Sequence, residues 1–117
     1  MPGRGDAGSA TVELAIALPT VISLIAVLMG AGSAAVGQLR LADGARAGAR
    51  VAALGMADQA VAAAAAGAAG REVSVNVNRG DGLVTVRCAG RVWVPVLGSL
   101  GAGAEAVAAC EPARGCG

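Results

Sequence analysis

Leu14-Ala-Ile-Ala-Leu-Pro-Thr-Val-Ile-Ser-Leu-Ile-Ala-Val-Leu-Met-Gly-Ala-Gly-Ser-Ala-Ala-Val-Gly37 is an uninterrupted run without a charged residue, set between Glu13 and Gln38. As a helix it measures roughly 36 Å, enough for the ~30 Å hydrocarbon core of a bilayer with some tilt. Soluble core helices rarely stay uncharged this long, so the run reads as a membrane span. Pro19 lies near its start and removes one backbone hydrogen bond, a defect that neighbours absorb in a membrane helix. Gly30, Gly32, Ser33, Ala34 and Ala35 make the far end small enough for close helix approach.

Composition agrees with this reading. The 117 residues are 56% hydrophobic, but there is one Trp and no Phe or Tyr. Large side chains supply most of a soluble core's buried area, so Ala and Val in this abundance suit lipid better than an aqueous globule. The nine basic residues are all Arg, scattered along a chain of net charge +1. No basic stripe marks a nucleic-acid partner. The chain has no His, the usual general base near neutral pH and the commonest metal ligand. Ser9, Ser23, Ser33, Ser74 and Ser99 therefore have no base partner, and the sequence points to no enzyme, cofactor, metal or small-molecule substrate. Arg4-Gly-Asp6 and Arg79-Gly-Asp81 match a short adhesive tripeptide, a coincidence in a chain so rich in Gly and Arg.

Beyond the span the pattern stays helical but turns polar. Arg40, Asp43, Arg46 and Arg50 recur every three or four residues along one face, with Asp43 in reach of Arg46. We expect a helix extension over 38–69, bent or frayed at Gly44, Gly48 and Gly55 and stopped at Gly67 or Gly70. After Gly70 the period becomes alternating. Glu72–Asn78 and Leu83–Cys88 form a hairpin across Arg79-Gly-Asp-Gly82, Arg91–Val96 adds a strand placed at an edge by Pro95, and Gly101–Cys110 is a fourth short strand or a frayed segment. Glu72, Asp81, Glu105 and Glu111 read as solvated carboxylates beside turns or termini. The expected fold is α+β, a long N-terminal helix whose first half is transmembrane, followed by a small antiparallel sheet of three or four short strands.

The opening residues carry the most chemistry. An ordinary secretory signal is cut after its apolar segment at a small-residue site, and none follows here, so the helix stays with the mature chain. Gly8-Ser-Ala-Thr-Val-Glu13, followed at once by the apolar run, resembles the prepilin cleavage motif. With Leu14–Pro19 and the later Gln38-Leu-Arg-Leu-Ala-Asp-Gly-Ala-Arg-Ala-Gly-Ala-Arg50, the stretch over about residues 4–50 is similar to the TadE/TadF family of tight-adherence pilus proteins. The resemblance implies a minor pilin or pseudopilin in the assembly of a tight-adherence type IV pilus. Its leader, 1–8, is cut by a prepilin peptidase between Gly8 and Ser9 on the cytoplasmic face. Its span is 9–37, its extension 38–69, and 70–117 form a β-rich domain exported from the cytoplasm. The implied partners are the membrane, the peptidase, other pilin subunits and the pilus assembly platform. Glu13 is the assembly residue, a carboxylate at the bilayer edge that the new Ser9 amine neutralises, in the same chain or a neighbour. Two rival readings are an unprocessed single-span anchor with an outer binding domain, and a pseudopilin of a secretion or DNA-uptake machine. Arg40, Arg46 and Arg50 follow the span while Arg4 alone precedes it, so a count of positive residues argues for the reverse orientation; the motif decides against that count.

Three cysteines remain, Cys88, Cys110 and Cys116. Without His or a C-x-x-C spacing they make a poor zinc motif. A disulfide outside the cytoplasm suits a thin core better. Cys88–Cys110 ties the hairpin to the tail and is the favoured pairing, whereas Cys110–Cys116 closes only a small loop.

Overall fold

A computed structural model describes residues 5–113 and Gly115, with side chains from Gly8 onward. Met1–Arg4 of the expected leader and Cys116 lie outside the described residues. Helix α1 (Gly5–Ala53) runs without a break through Pro19 and dominates a molecule 91 Å long and 20 × 17 Å across. Its two halves have different surroundings. From Gly8 to Met29 nearly every side chain is exposed, Ile16, Ile22 and Val27 by more than 60%. From Gly30 on, buried positions recur at Gly37, Leu41, Gly44, Ala45, Gly48, Ala49, Ala52 and Ala53, the three-and-four spacing of one helix face. The first half is long and apolar enough to cross a membrane; the second is the backbone of a folded domain. Arg40, Asp43, Arg46 and Arg50 occupy its exposed side, and Arg46 reaches Asp43 at 3.4 Å.

Three hydroxyls of α1 are satisfied within the helix. Thr20 Oγ1 donates to the Ile16 carbonyl at 2.9 Å, Ser23 Oγ to Pro19 at 2.7 Å and Ser33 Oγ to Met29 at 2.8 Å. Bonding back to the preceding turn lets polar side chains sit where no water is available.

The expected single extension over 38–69 is two helices. Leu54-Gly-Met-Ala57 reverses the chain, with Gly55 at φ +74°, and α2 (Asp58–Ala69) packs back antiparallel along α1. Gly70, in the left-handed conformation, caps α2 and donates to the carbonyls of Ala66 and Gly67, so Gly70 rather than Gly67 is the stop. α1 is unbroken at Gly44 and Gly48. A Cβ at Gly44 would lie 2.9 Å from the Ala65 carbonyl oxygen, and one at Gly48 would lie 3.0 Å from Val86 Cγ1 and 3.4 Å from the Ala65 Cβ. Their missing side chains let α2 and the sheet come close.

The sheet has three antiparallel strands in chain order, β1 (Ser74–Gly80), β2 (Leu83–Val94) and β3 (Gly98–Ala109). β1 and β2 meet in a two-residue turn whose Asp81 and Gly82 both have positive φ, the Asp-Gly turn that matches strand twist. The expected edge strand at Arg91–Val96 does not exist separately. Leu83 to Val94 is one central strand with unbroken alternation, and Pro95 falls in the loop to β3, where no ladder bond is lost. Glu105 is mid-strand rather than beside a turn, paired across the outer face with Arg87 at 3.0 Å.

The core is made of Ala and Val. Ala45, Ala49, Ala52 and Ala53 of α1 meet Val61 and Ala65 of α2 over Val84, Val86 and Cys88 of β2. A second cluster joins Leu41 to Val92 and Val94. Arg79 ties the far corner down, pairing with Asp58 and donating to the Met56 carbonyl at 3.0 Å. Within the Arg79-Gly-Asp81 tripeptide, Arg79 is thus a structural brace and Asp81 a turn residue.

Candidate functional site

Gly8, Ser9 and Glu13 are all on the first turns of α1 and all exposed. Gly8 has nothing within 4 Å of the place a Cβ would take. The Gly8–Ser9 peptide is helical, and a peptidase acting there must draw it out of the helix. Gly favours that, since it weakens a helix by about 1 kcal/mol relative to Ala. Ser9 and Glu13 are separated by one helical turn, so they share a face with a rise of about 6 Å between them. A cut after Gly8 would make Glu13 the fifth residue of the new chain, one helical turn from its amine. Such a cut would leave the amine of Ser9 and the Glu13 carboxylate on one side of one helix end.

The cysteine expectation is corrected. Cys88 is a free, fully buried thiol, whereas Cys110 is disulfide-bonded, so the Cys88–Cys110 staple is not formed. Strand geometry forbids it. Cys88 faces Ala104 across the β2–β3 ladder, and Cys110 lies six residues further along that edge, its N–H bonded to the Gly82 carbonyl at 2.9 Å. Six residues of strand extend about 20 Å, far beyond the ~7 Å that a disulfide bridges between Cα atoms. Burial pushes the Cys88 thiol pKa above its ordinary value. In the folded chain its alkylation is expected to be at least about tenfold slower than in denaturant, because the thiolate is the reactive form and is disfavoured there. Mass-resolved maleimide labelling checks this.

The small-residue end of the span receives a part of this same chain. The three-residue loop Pro95–Leu97 joining β2 to β3 rises beside α1, and a Cβ at Gly30 would lie 3.4 Å from Val94 Cγ1. At Gly37 it would lie 2.4 Å from Val92 Cγ1. Between this loop and α1 is an open apolar groove of about 680 Å³, walled by Ile22, Ala26 and Gly30 on one side and Val96, Leu97 and Leu100 on the other. Nothing in the sequence reading pointed to it. The signal available was the uncharged stretch Val92–Ala104, which resembles no solvated hairpin end.

Comparison with known proteins bears on the N-terminal half only. The family model described as TadE-like protein matches residues 8–50. No curated protein and no solved structure matches the chain.

Proposed function

The chain is TadE-like over residues 8–50, which associates it with tight-adherence pili, and from that premise we propose that it is a minor pilin or pseudopilin acting in assembly of such a pilus. The observation that carries the proposal is the coincidence of the family match with Gly8 and Glu13 at prepilin spacing before an exposed apolar helix. The leader is cut between Gly8 and Ser9 by a prepilin peptidase at the cytoplasmic face. The first half of α1 stays in the bilayer, and α2 and the sheet stand on the opposite side.

Each step has a physical reason. Gly8 leaves the scissile bond unhindered. Glu13 sits where the span begins, and an unpaired carboxylate costs up to about 3 kcal/mol at mid-membrane and less near the interface. The Ser9 amine, one turn away or on a neighbouring subunit, neutralises it. Helices stored in lipid associate by packing and charge pairing rather than by the hydrophobic effect, so Glu13 guides the subunit to pilin partners and the assembly platform.

Glu13→Ala tests the assembly role. The variant is expected to be inserted and cleaved but to be crosslinked to pilin subunits at least about tenfold less than the native chain, the loss of one pairing worth ~1.4 kcal/mol or more. Normal cleavage together with normal incorporation would remove Glu13 from the mechanism.

A further inference from the structure

We propose that the Pro95–Leu97 loop inserts into the outer leaflet beside α1, so that the exported domain is seated on the membrane by a second apolar contact and lipid acyl chains fill the groove between them. The inference rests on the reading of α1 as a membrane span.

Depth is the first argument. Measured from Leu14, a ~30 Å hydrocarbon layer ends about twenty residues along the helix, near Ala34. Val94 and Pro95 flank Gly30, which is about 24 Å from Leu14 and thus about 6 Å inside that layer. Charge gives the second. The helix carries none from Leu14 to Leu39, and the β2–β3 hairpin carries none from Val92 to Ala104. The helix stretch ends beside β3, where Gln38 Nε2 donates to the Gly103 carbonyl at 2.7 Å. Arg40 and Glu105 come just past that level, whereas Arg91, opposite Gly101 in the ladder, stands two residues nearer the loop. The loop end of the hairpin, 92–100, and the helix beside it therefore form one uncharged zone bounded by Arg91.

The loop's own composition is the third argument. Val96 is 87% exposed and Leu97 70%. Val96 also has φ +75°, a conformation that is an outlier for a β-branched residue and that turns normally give to Gly or Asn. In water this position would combine backbone strain with an exposed apolar side chain; in lipid the exposure becomes favourable. Trp93 is 65% exposed two residues before the loop, the placement of an interfacial aromatic anchor. The groove is apolar and open along its length, so water in it would lack partners, while acyl chains match both its walls and its depth.

Trp93 is the chain's one tryptophan, so its fluorescence reads the hairpin directly. The full-length protein is reconstituted in phosphatidylethanolamine–phosphatidylglycerol vesicles with acyl chains brominated near the headgroup, and flotation is measured on the same samples. Trp93 emission is expected to fall roughly twofold on bromination, as for an interfacial tryptophan, and to resist aqueous acrylamide. In a Trp93→Phe/Val96→Trp chain the quenching should be greater. In a Val96→Asp/Leu97→Asp chain it should disappear, with flotation and circular dichroism unchanged. Floated protein whose Trp93 is reached by acrylamide and not by bromine overturns the inference alone. So does quenching that vanishes at high protein-to-lipid ratio, since a second copy then fills the groove. Protein that fails to float overturns the span and the inference together.

Discussion

Leu41→Ala is expected to destabilise the folded domain by about 3 kcal/mol and to leave the membrane half of α1 helical. Leu41 is fully buried and is the one large side chain that α1 sends toward the sheet, against Val92 and Val94. Gly90 faces it, with space for a Cβ only 3.2 Å from Leu41 Cδ2. Alanine would leave a cavity that α1 cannot close, because Gly37 already brings it against Val92. Buried Leu-to-Ala changes cost about 2–5 kcal/mol. A domain of this size has little in reserve. Hydrogen exchange of the full chain in micelles checks the prediction. Protection of β2 amides should fall roughly a hundredfold, while amides from Leu14 to Met29 keep theirs.

Gly44→Leu should have a comparable effect by the opposite route. The Cβ site at Gly44 is 2.9 Å from a backbone oxygen, that of Ala65, and 3.1 Å from the Ala69 Cβ. A backbone carbonyl inside a helix cannot swing aside as a side chain does, so α2 must separate from α1 and uncover Val61 and Ala65. Overpacking of this kind costs about 1–3 kcal/mol, here near the upper end, equivalent to a melting point lower by about 10 °C or more. Gly67→Ala is the matched control. That position in α2 is exposed, with nothing within 4 Å of a Cβ, so the substitution should stabilise the chain by about 0.5–1 kcal/mol through helix propensity. Thermal unfolding of the two variants separates glycines required by close packing from those merely tolerated.

These residues also show where sequence reasoning works on this protein and where it stops. The long apolar helix, the hairpin at Asp81-Gly82 and the outward face of Arg40, Asp43, Arg46 and Arg50 are local patterns, and each is found where it is expected. Gly44, Gly48 and Gly90 look like helix or strand breakers because their role is tertiary. Each marks a close approach, and only the packed partner distinguishes that from a weak point. The reversal after Ala53 is hard to see for a similar reason. Ala57, the N-cap of α2, makes no side-chain cap bond, so the usual Ser, Thr, Asp or Asn signature is missing. Cys88 was legible in principle. Its period with Val84 and Val86 places it on the inward face, which argues for a core thiol and against a surface staple. Of the candidate site, the sequence carries the motif and its helix; the membrane-facing loop depends on β3 returning alongside β2, a pairing that no local signal specifies.

The central claim is that Gly8 and Glu13 mark a processed pilin-like subunit rather than a plain anchor. Intact mass of the mature protein, recovered from the membranes of cells that make tight-adherence pili, tests it most directly. The account predicts a chain beginning at Ser9, with conversion abolished when the peptidase is absent. A mature chain that still begins at Met1 or Pro2 would contradict it.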